Sequence, residues 1–296
     1  MNYTFHTGKG LLKLTEKHKL RISDLVLLRE VTVMEKSEES VRSRMLKRYE
    51  VMKKAIEKGT KATKKSRSKM SGGNARLVTK HIGDKKMLLN KFTTKVAAYA
   101  IATGETNACM GRIVAFPTAG ASGILPAVIT AMQEENKIKD EEITDALLNA
   151  AGIGLIIAEN ATLAGAEGGC QAEVGSAAAM AASAITELRG GTPEQCLNAA
   201  ALALKNLLGL TCDPVGGMVE VPCVKRNAFA AIHAVTASDL TMCGVETFIP
   251  FDEVVLAMKN IGRLMPTKLR ETALAGLAAT KTGAKIKKQL GFKNNE

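Results

Sequence analysis

Apolar residues recur every three or four positions in the N-terminal third of the chain, within a helical pattern from Ser23 to Thr60. Ser37 precedes the clearest stripe as a candidate N-cap, and Gly59 follows it as a candidate stop. The stripe consists of Val41, Met45, Tyr49, Met52 and Ile56. This spacing predicts an amphipathic helix between Ser37 and Gly59.

Small apolar residues dominate beyond Lys95, and glycine and proline divide them into separate stretches. Thr192-Pro193-Glu194 is a typical helix start. We predict helices over about 124–133, 141–159, 172–188, 193–208, 225–242 and 252–262. Strand-like alternation is almost missing, and the sequence shows no internal repeat, coiled-coil heptads, Rossmann fingerprint or P-loop. The fold class is therefore predicted to be all-α, with a large helical domain over 96–296.

A second unit is predicted over residues 1–95, a basic helical segment packed on the larger domain. It holds 25 Lys and Arg against 9 Asp and Glu, whereas the whole chain has a formal charge of +12. A solvated helical face or a surface for an acidic partner accounts for this charge. Nucleic-acid binding is not expected, because no aromatic residues are interleaved with the basic ones.

The stretch Thr60–Asn74 reads as a basic, flexible loop. Within it, Ser71-Gly72-Gly73-Asn74 has the composition of an anion-binding nest, and a mobile surface loop is an equal interpretation.

No membrane segment is predicted. The longest uncharged run, Ile113–Gln133, contains Pro117 and Pro126 together with three glycines, and is too weakly apolar for lipid. The N-terminus lacks the apolar core of a signal peptide, so we expect a cytoplasmic location with reduced thiols.

Three of the six cysteines, Cys170, Cys212 and Cys223, lie in turns rich in Gly, Pro or acidic residues. Three thiolates can hold three irons of a cubane iron–sulfur cluster and leave the fourth iron open as a Lewis acid. A structural zinc in an RNA-binding protein is the alternative, although zinc normally takes a fourth Cys or His. Cys109, Cys196 and Cys243 are interpreted as packing residues.

The segments around these cysteines resemble the α subunit of iron–sulfur-dependent L-serine dehydratases. The resemblance is carried by NACMGRIVAFPTAGASG at 107–123, AEGGCQAE at 166–173 and GLTCDPVGGMVEVPCVKRN at 209–227. It implies that Cys170, Cys212 and Cys223 bind a [4Fe–4S] cluster. It also implies a carbon–nitrogen lyase that converts L-serine to pyruvate and ammonia in serine catabolism, supplying gluconeogenesis. L-cysteine desulfidase, a relative using the same open iron, is the alternative enzyme.

The resemblance also bears on assembly. Single-chain members of the family add an N-terminal domain, and some end in a cysteine that caps the open iron, whereas the last cysteine here is Cys243. A separate β subunit is therefore expected, in a heterodimer or a higher hetero-oligomer.

Candidate substrate residues lie in the loop Pro117–Gly123. The hydroxyls of Thr118 and Ser122, the backbone at Gly120, and Gly123 at the start of an apparent helix suit a carboxylate. Lys225, next to the third cysteine, is a further candidate for that carboxylate.

The general base is not identified by any motif. His233 has a suitable intrinsic pKa but lies on an apolar helix, where a core histidine is the competing interpretation. Glu167 and Glu173 flank Cys170 without an assigned role.

Overall fold

The computed structural model describes residues 3–291 as a helical protein. Its α-helices are α1 (Gly8–His18), α2 (Ile22–Thr32), α3 (Glu38–Lys61), α4 (Asn74–Thr79), α5 (Lys91–Ala108), α6 (Ile124–Asn136), α7 (Asp140–Asn160), α8 (Gly165–Gly168), α9 (Ser176–Leu188), α10 (Pro193–Lys205), α11 (Cys223–Met242), α12 (Phe251–Leu264) and α13 (Lys281–Gln289). A π-helix, Gln171–Gly175, precedes α9, and short 3₁₀ turns cover Val215–Gly217, Thr267–Leu269 and Gly276–Ala279. The described residues form no strand, which confirms the all-α fold class.

Helix α9 forms the centre of the molecule. Its sequence, SAAAMAASAITEL, is buried along nearly its whole length. Because most of its residues are alanine or serine, α6, α7, α10 and α11 approach it closely from different sides. This packing fixes the start of α9, and with it the preceding π-helix, in the interior.

The N-terminal third shares one apolar core with the rest of the chain. Leu11, Tyr49 and Met52 belong to the same buried cluster as Val128 and Val255. Helix α2 packs on α7, and α3 packs on both α5 and α7. Helix α5 runs through residue 95, where the composition changes, and the division of the chain there stays a prediction.

The predicted helix starts agree with the structure to within two residues for α6, α7, α10, α11 and α12. The cap at Ser37 is confirmed, since its hydroxyl accepts a hydrogen bond of 3.2 Å from the Ser40 N–H. Gly59 as a helix stop is wrong. Helix α3 continues to Lys61, and a Cβ at Gly59 would overlap the Ala102 carbonyl of α5. This glycine therefore serves the close contact of two helices.

The uncharged run over 113–133 divides into an irregular segment and the buried helix α6. Within residues 3–291, no helix combines the length and the apolar character that crossing a membrane requires.

Candidate active site

The three turn cysteines come together from three different segments of the chain. Cys170 precedes the π-helix, Cys212 lies in the irregular segment after α10, and Cys223 is the first residue of α11. Their exposed fractions are 2%, 4% and 9%. The turn before Cys170 requires a glycine, because Gly169 has φ +77° and a Cβ there would lie 2.7 Å from the Met265 sulfur.

The thiols of Cys170 and Cys212 form a hydrogen-bonded pair. The hydrogen bond from Cys212, supported by the charge of Arg226, lowers the pKa of Cys170 below its ordinary value. The same hydrogen bond, together with burial, raises the pKa of Cys212. Burial, with the charge of Cys170 as a smaller cause, raises the pKa of Cys223 to about 12. The Cys170–Cys212 pair therefore gives up a first proton more readily than Cys223 does.

The guanidinium of Arg226 is the positive charge that helps to lower the pKa of Cys170. The same guanidinium donates to the Thr211 carbonyl at 2.9 Å and forms an ion pair of 3.0 Å with the buried Asp213. It is therefore held in place on both sides, in a position where its charge favours thiolates.

The donor set fits a cluster in which each of three irons takes one thiolate and the fourth takes none. Among the described residues, no group of three His, Cys, Asp or Glu side chains is arranged to hold one metal ion. Ligands of a cubane bind separate irons and need not meet at one point. Cys170 influences the pKa of both other thiols, so the three face a common region. Gly165 borders this region, and a Cβ there would lie 3.2 Å from the Cys212 sulfur.

Glu173 connects the cysteines to the loop Pro117–Gly123. Its carboxylate lies 3.9 Å from the Cys212 sulfur and faces Gly120, where a Cβ would stand 3.4 Å from Glu173 Oε1. Burial raises the pKa of Glu173, and a hydrogen bond from Thr118 opposes that rise. The side chain projects from the π-helix, a distortion that often occurs at functional sites.

Asn227 anchors the same loop to α11. Its amide nitrogen donates to the Gly120 carbonyl at 2.7 Å and to the Cys223 carbonyl at 2.8 Å, and its oxygen accepts from the Gly123 N–H at 2.8 Å. Its exposed fraction is 1%. The sequence analysis did not single out Asn227, although it lies one turn after Cys223 and on the same helix face.

The predicted substrate residues are thus close to the cysteines, but some of their polar groups have internal partners. The buried Ser122 hydroxyl donates to the Ala119 carbonyl at 2.8 Å, and Thr118 Oγ1 accepts from the Ala121 N–H at 3.3 Å. The Gly123 N–H is held by Asn227. Lys225 is half-buried beside Arg226 and forms no ion pair within residues 3–291. The substrate-binding roles stay predictions.

His233 lies apart from this group. It is ten residues after Cys223 on α11, a rise of about 15 Å along the helix axis. Its Nε2 is 2.9 Å from the Ala203 carbonyl of α10. The structure does not bring His233 to the cysteines, and its role as a base stays a prediction.

The nest predicted at residues 71–74 is formed, and its anion is a side chain of the same protein. The N–H groups of Gly72, Asn74 and Ala75 donate to the Glu105 carboxylate at 2.8, 3.0 and 3.1 Å. Glu105 itself is buried in α5. The basic loop is thereby attached to α5 by charge-assisted hydrogen bonds.

A second buried carboxylate, Glu220, holds the same loop from the turn between Cys212 and Cys223. The hydroxyls of Ser66 and Ser68 donate to Glu220 Oε2 at 2.6 and 2.8 Å. The loop over 60–74 is therefore joined to the segment that carries two of the three cysteines.

The C-terminal segment completes the surroundings of Cys212. The Cys212 N–H donates to the Leu269 carbonyl at 2.9 Å, and the Glu271 N–H donates to the Cys212 carbonyl at 2.8 Å. Asp213 accepts from the Leu277 N–H at 2.8 Å. Glu271 has φ +62°, a strained value for a residue with a Cβ, and its charge raises the pKa of Glu173.

The remaining cysteines take different positions. Cys196 is buried in α10, as predicted, and burial raises its pKa well above the ordinary value. Cys109 is half-buried, with its sulfur 3.7 Å from the Lys64 carbonyl. The prediction that Cys243 is a packing residue is wrong, because it ends α11 in an exposed turn.

Comparisons with known proteins identify the family of this chain. The family model described as "Serine dehydratase alpha chain" matches residues 17–278. The "Probable L-serine dehydratase, alpha chain" of Bacillus subtilis is 44% identical, over 97% of this chain and 95% of the relative. The "L-serine dehydratase, alpha chain" of Peptoniphilus asaccharolyticus is 43% identical, over 96% and 97%. The "L-serine dehydratase" of Streptomyces coelicolor is 40% identical, over 94% of this chain and 61% of that longer protein.

Proposed function

Because the chain belongs to the serine dehydratase alpha chain family, we propose that it is a lyase that eliminates water from L-serine to give pyruvate and ammonia. A [4Fe–4S] cluster held by Cys170, Cys212 and Cys223 is part of this proposal. The observation that carries it is the convergence of these three buried cysteines beside the loop Pro117–Gly123.

Hydroxide is a poor leaving group, and its departure requires a Lewis acid. When bound, a cluster with one iron free of cysteine supplies that Lewis acid. The chain's own residues hold and orient the reactants. Arg226 offsets the negative charge of the thiolates, and Lys225 and the loop residues Thr118 and Gly120 receive the substrate carboxylate. Loss of hydroxide from Cβ and of the proton from Cα, together one water, yields aminoacrylate, whose imine tautomer hydrolyses to pyruvate and ammonia.

Glu173 and Asn227 position this machinery in the proposal. Glu173 lies between Cys212 and Gly120, so one side chain sets the distance between the cysteine site and the substrate loop. Asn227 fixes the other side of the loop to the helix that begins at Cys223. Substrate orientation therefore depends on both residues.

We also propose that a separately encoded β subunit completes the enzyme in the cytoplasm. The Bacillus and Peptoniphilus relatives are named alpha chains, and the longer Streptomyces protein contains a further region outside the match. The basic segment over 1–95 is a candidate surface for that subunit. In the cell, the pyruvate formed would feed gluconeogenesis.

The experiment is anaerobic reconstitution of the wild-type chain and of Cys170→Ser, Cys212→Ser and Cys223→Ser variants. We expect each substitution to abolish both the visible absorption of the cluster and pyruvate formation from L-serine. Cys196→Ser, a change in a buried cysteine of α10, is the matched control and should spare both. Full iron content and activity in Cys212→Ser would refute the ligand assignment, and faster turnover of L-cysteine would refute the substrate.

A further inference from the structure

A cavity of about 320 Å³ lies between α2, α3, α7 and the segment over 114–116. Its apolar floor is formed by Val26, Val41, Met45, Val114, Leu148 and Ala151. Phe116, on the same wall, immediately precedes the loop Pro117–Gly123. The cavity is separate from the three cysteines, none of which lines it.

The rim of this cavity is cationic. It carries Lys36, Arg44 and Arg48 against a single carboxylate, Glu30. Glu30 is already bound by two cations, since Arg29 lies at 3.1 Å and Lys36 at 2.6 Å from its oxygens. Among residues 3–291, the one acidic group of the rim is therefore neutralised by its neighbours.

Arg44 and Arg48 have no carboxylate partner within residues 3–291. Within the described part of the chain, the Arg48 side chain makes one polar contact, a weak one with the sulfur of Met45 at 3.9 Å. The two arginines are four positions apart on α3, where like charges face each other and destabilise the helix. A bound anion would remove that repulsion.

Two neighbouring arginines, Arg21 just before α2 and Arg42 on α3, show the contrast. Arg21 and Arg42 each form an ion pair with Asp145 of α7, at 2.9 and 2.8 Å. The sequence thus supplies an internal counter-ion for this pair and none for Arg44 and Arg48, which border a cavity.

We propose that this cavity binds a small organic acid, with its carboxylate on Arg44 and Arg48 and a short branched apolar body on the floor. Guanidinium groups bind carboxylates through strong charge-assisted hydrogen bonds. The volume is at the lower end of the range for ligand pockets, which fits a body of a few carbon atoms. Because Glu30 is already paired, the ligand carries no ammonium group, so an amino acid is not expected here.

The test uses 3-methylbutanoate as the probe and the full-length chain labelled with carbon-13 at the methionine methyl groups. We expect a saturable shift of the Met45 resonance, assigned by its loss in Met45→Leu, while the core residue Met258 stays unchanged. The neutral isostere 3-methylbutanamide should bind about tenfold more weakly. Equal binding of acid and amide, or no saturable shift, would overturn the proposal without any variant.

Variants then locate the charge. Arg44→Gln and Arg48→Gln should each weaken binding of 3-methylbutanoate about tenfold. Lys47→Gln makes the same charge change on the same helix outside the cavity and should bind as the parent does. If Lys47→Gln weakens binding as much as the arginine variants do, the effect is general electrostatic attraction and the site is wrong. None of these measurements requires a cluster or dehydratase activity.

Discussion

Replacement of Asn227 by alanine tests whether the loop Pro117–Gly123 must be fixed to α11. Asn227 makes three side-chain hydrogen bonds of 2.7 to 2.8 Å and is almost fully buried. In Asn227→Ala, the carbonyl of the half-buried Gly120 and the N–H of the buried Gly123 lose this partner. Each unpaired buried group costs about 1–3 kcal/mol, so we expect the free energy of unfolding to fall by about 3 kcal/mol.

The loss of function should exceed the loss of stability. With the loop released on one side, its polar groups no longer stand at a fixed distance from the cysteines, and small displacements of reacting groups lower rates strongly. We expect kcat/KM for L-serine to fall by about two orders of magnitude at a temperature where the variant is folded. Urea denaturation followed by circular dichroism and steady-state pyruvate formation are the two measurements.

Asn198 provides the matched control. It also makes three side-chain hydrogen bonds, to Thr241 Oγ1, the Val245 carbonyl and the Thr247 N–H, but far along α10 from the cysteines. Because Asn198 is only half-buried, Asn198→Ala should cost about 1 kcal/mol of unfolding free energy. Its kcat/KM should match the parent. Full activity in a folded Asn227→Ala enzyme would refute the reasoning.

Three further predictions concern stability. Gly59→Ala should lower the unfolding free energy by more than about 1 kcal/mol, because the new Cβ overlaps the Ala102 carbonyl. This loss should outweigh the higher helix propensity of alanine. A variant that is more stable than the parent in urea would contradict the close contact. Glu105→Gln should cost about 2 kcal/mol and speed proteolysis over 60–74, because the nest loses its charged acceptor; unchanged cleavage would show that the loop is held otherwise. Burial raises the pKa of Glu187 above its ordinary 4.5, so its contribution to stability is present below that pH and is lost as the pH rises through the folded pKa. As the pH is raised from 4.5 to 8, the stability of Glu187→Gln should therefore increase relative to that of the parent, as measured by urea midpoints. A difference between the two midpoints that does not change with pH would count against a raised pKa.

Local signals were sufficient to predict most helices after residue 120. Thr192-Pro193 begins α10 with a capping box, because side-chain oxygens near the helix start satisfy its free N–H groups wherever the helix lies in the fold. The cap at Ser37 was predictable for the same reason. The three cysteines were recognisable because their turns differ from ordinary packing environments.

Long-range contacts explain what the sequence analysis missed. From sequence alone Gly59 resembles a helix stop, because its contact with α5 is a long-range one. Likewise, the sequence of the nest over 71–74 does not indicate that its anion is Glu105. The role of Asn227 depends on a loop more than a hundred residues earlier in the chain. The predicted helix over 172–188 begins as a π-helix because Gln171 and its neighbours are bound to other segments, which periodicity does not record.

The pairing of Cys212 with the segment over 269–271 also sets an order during biosynthesis. Cys170 and Cys212 leave the ribosome well before Leu269, whose carbonyl accepts the Cys212 N–H, and before Glu271, which returns a hydrogen bond to the Cys212 carbonyl. The backbone around Cys212 thus obtains its final partners only after residue 271 has been translated. In nascent chains that stop short of this point, the backbone of Cys212 lacks these two hydrogen bonds. The site therefore matures only after residue 271 has been translated.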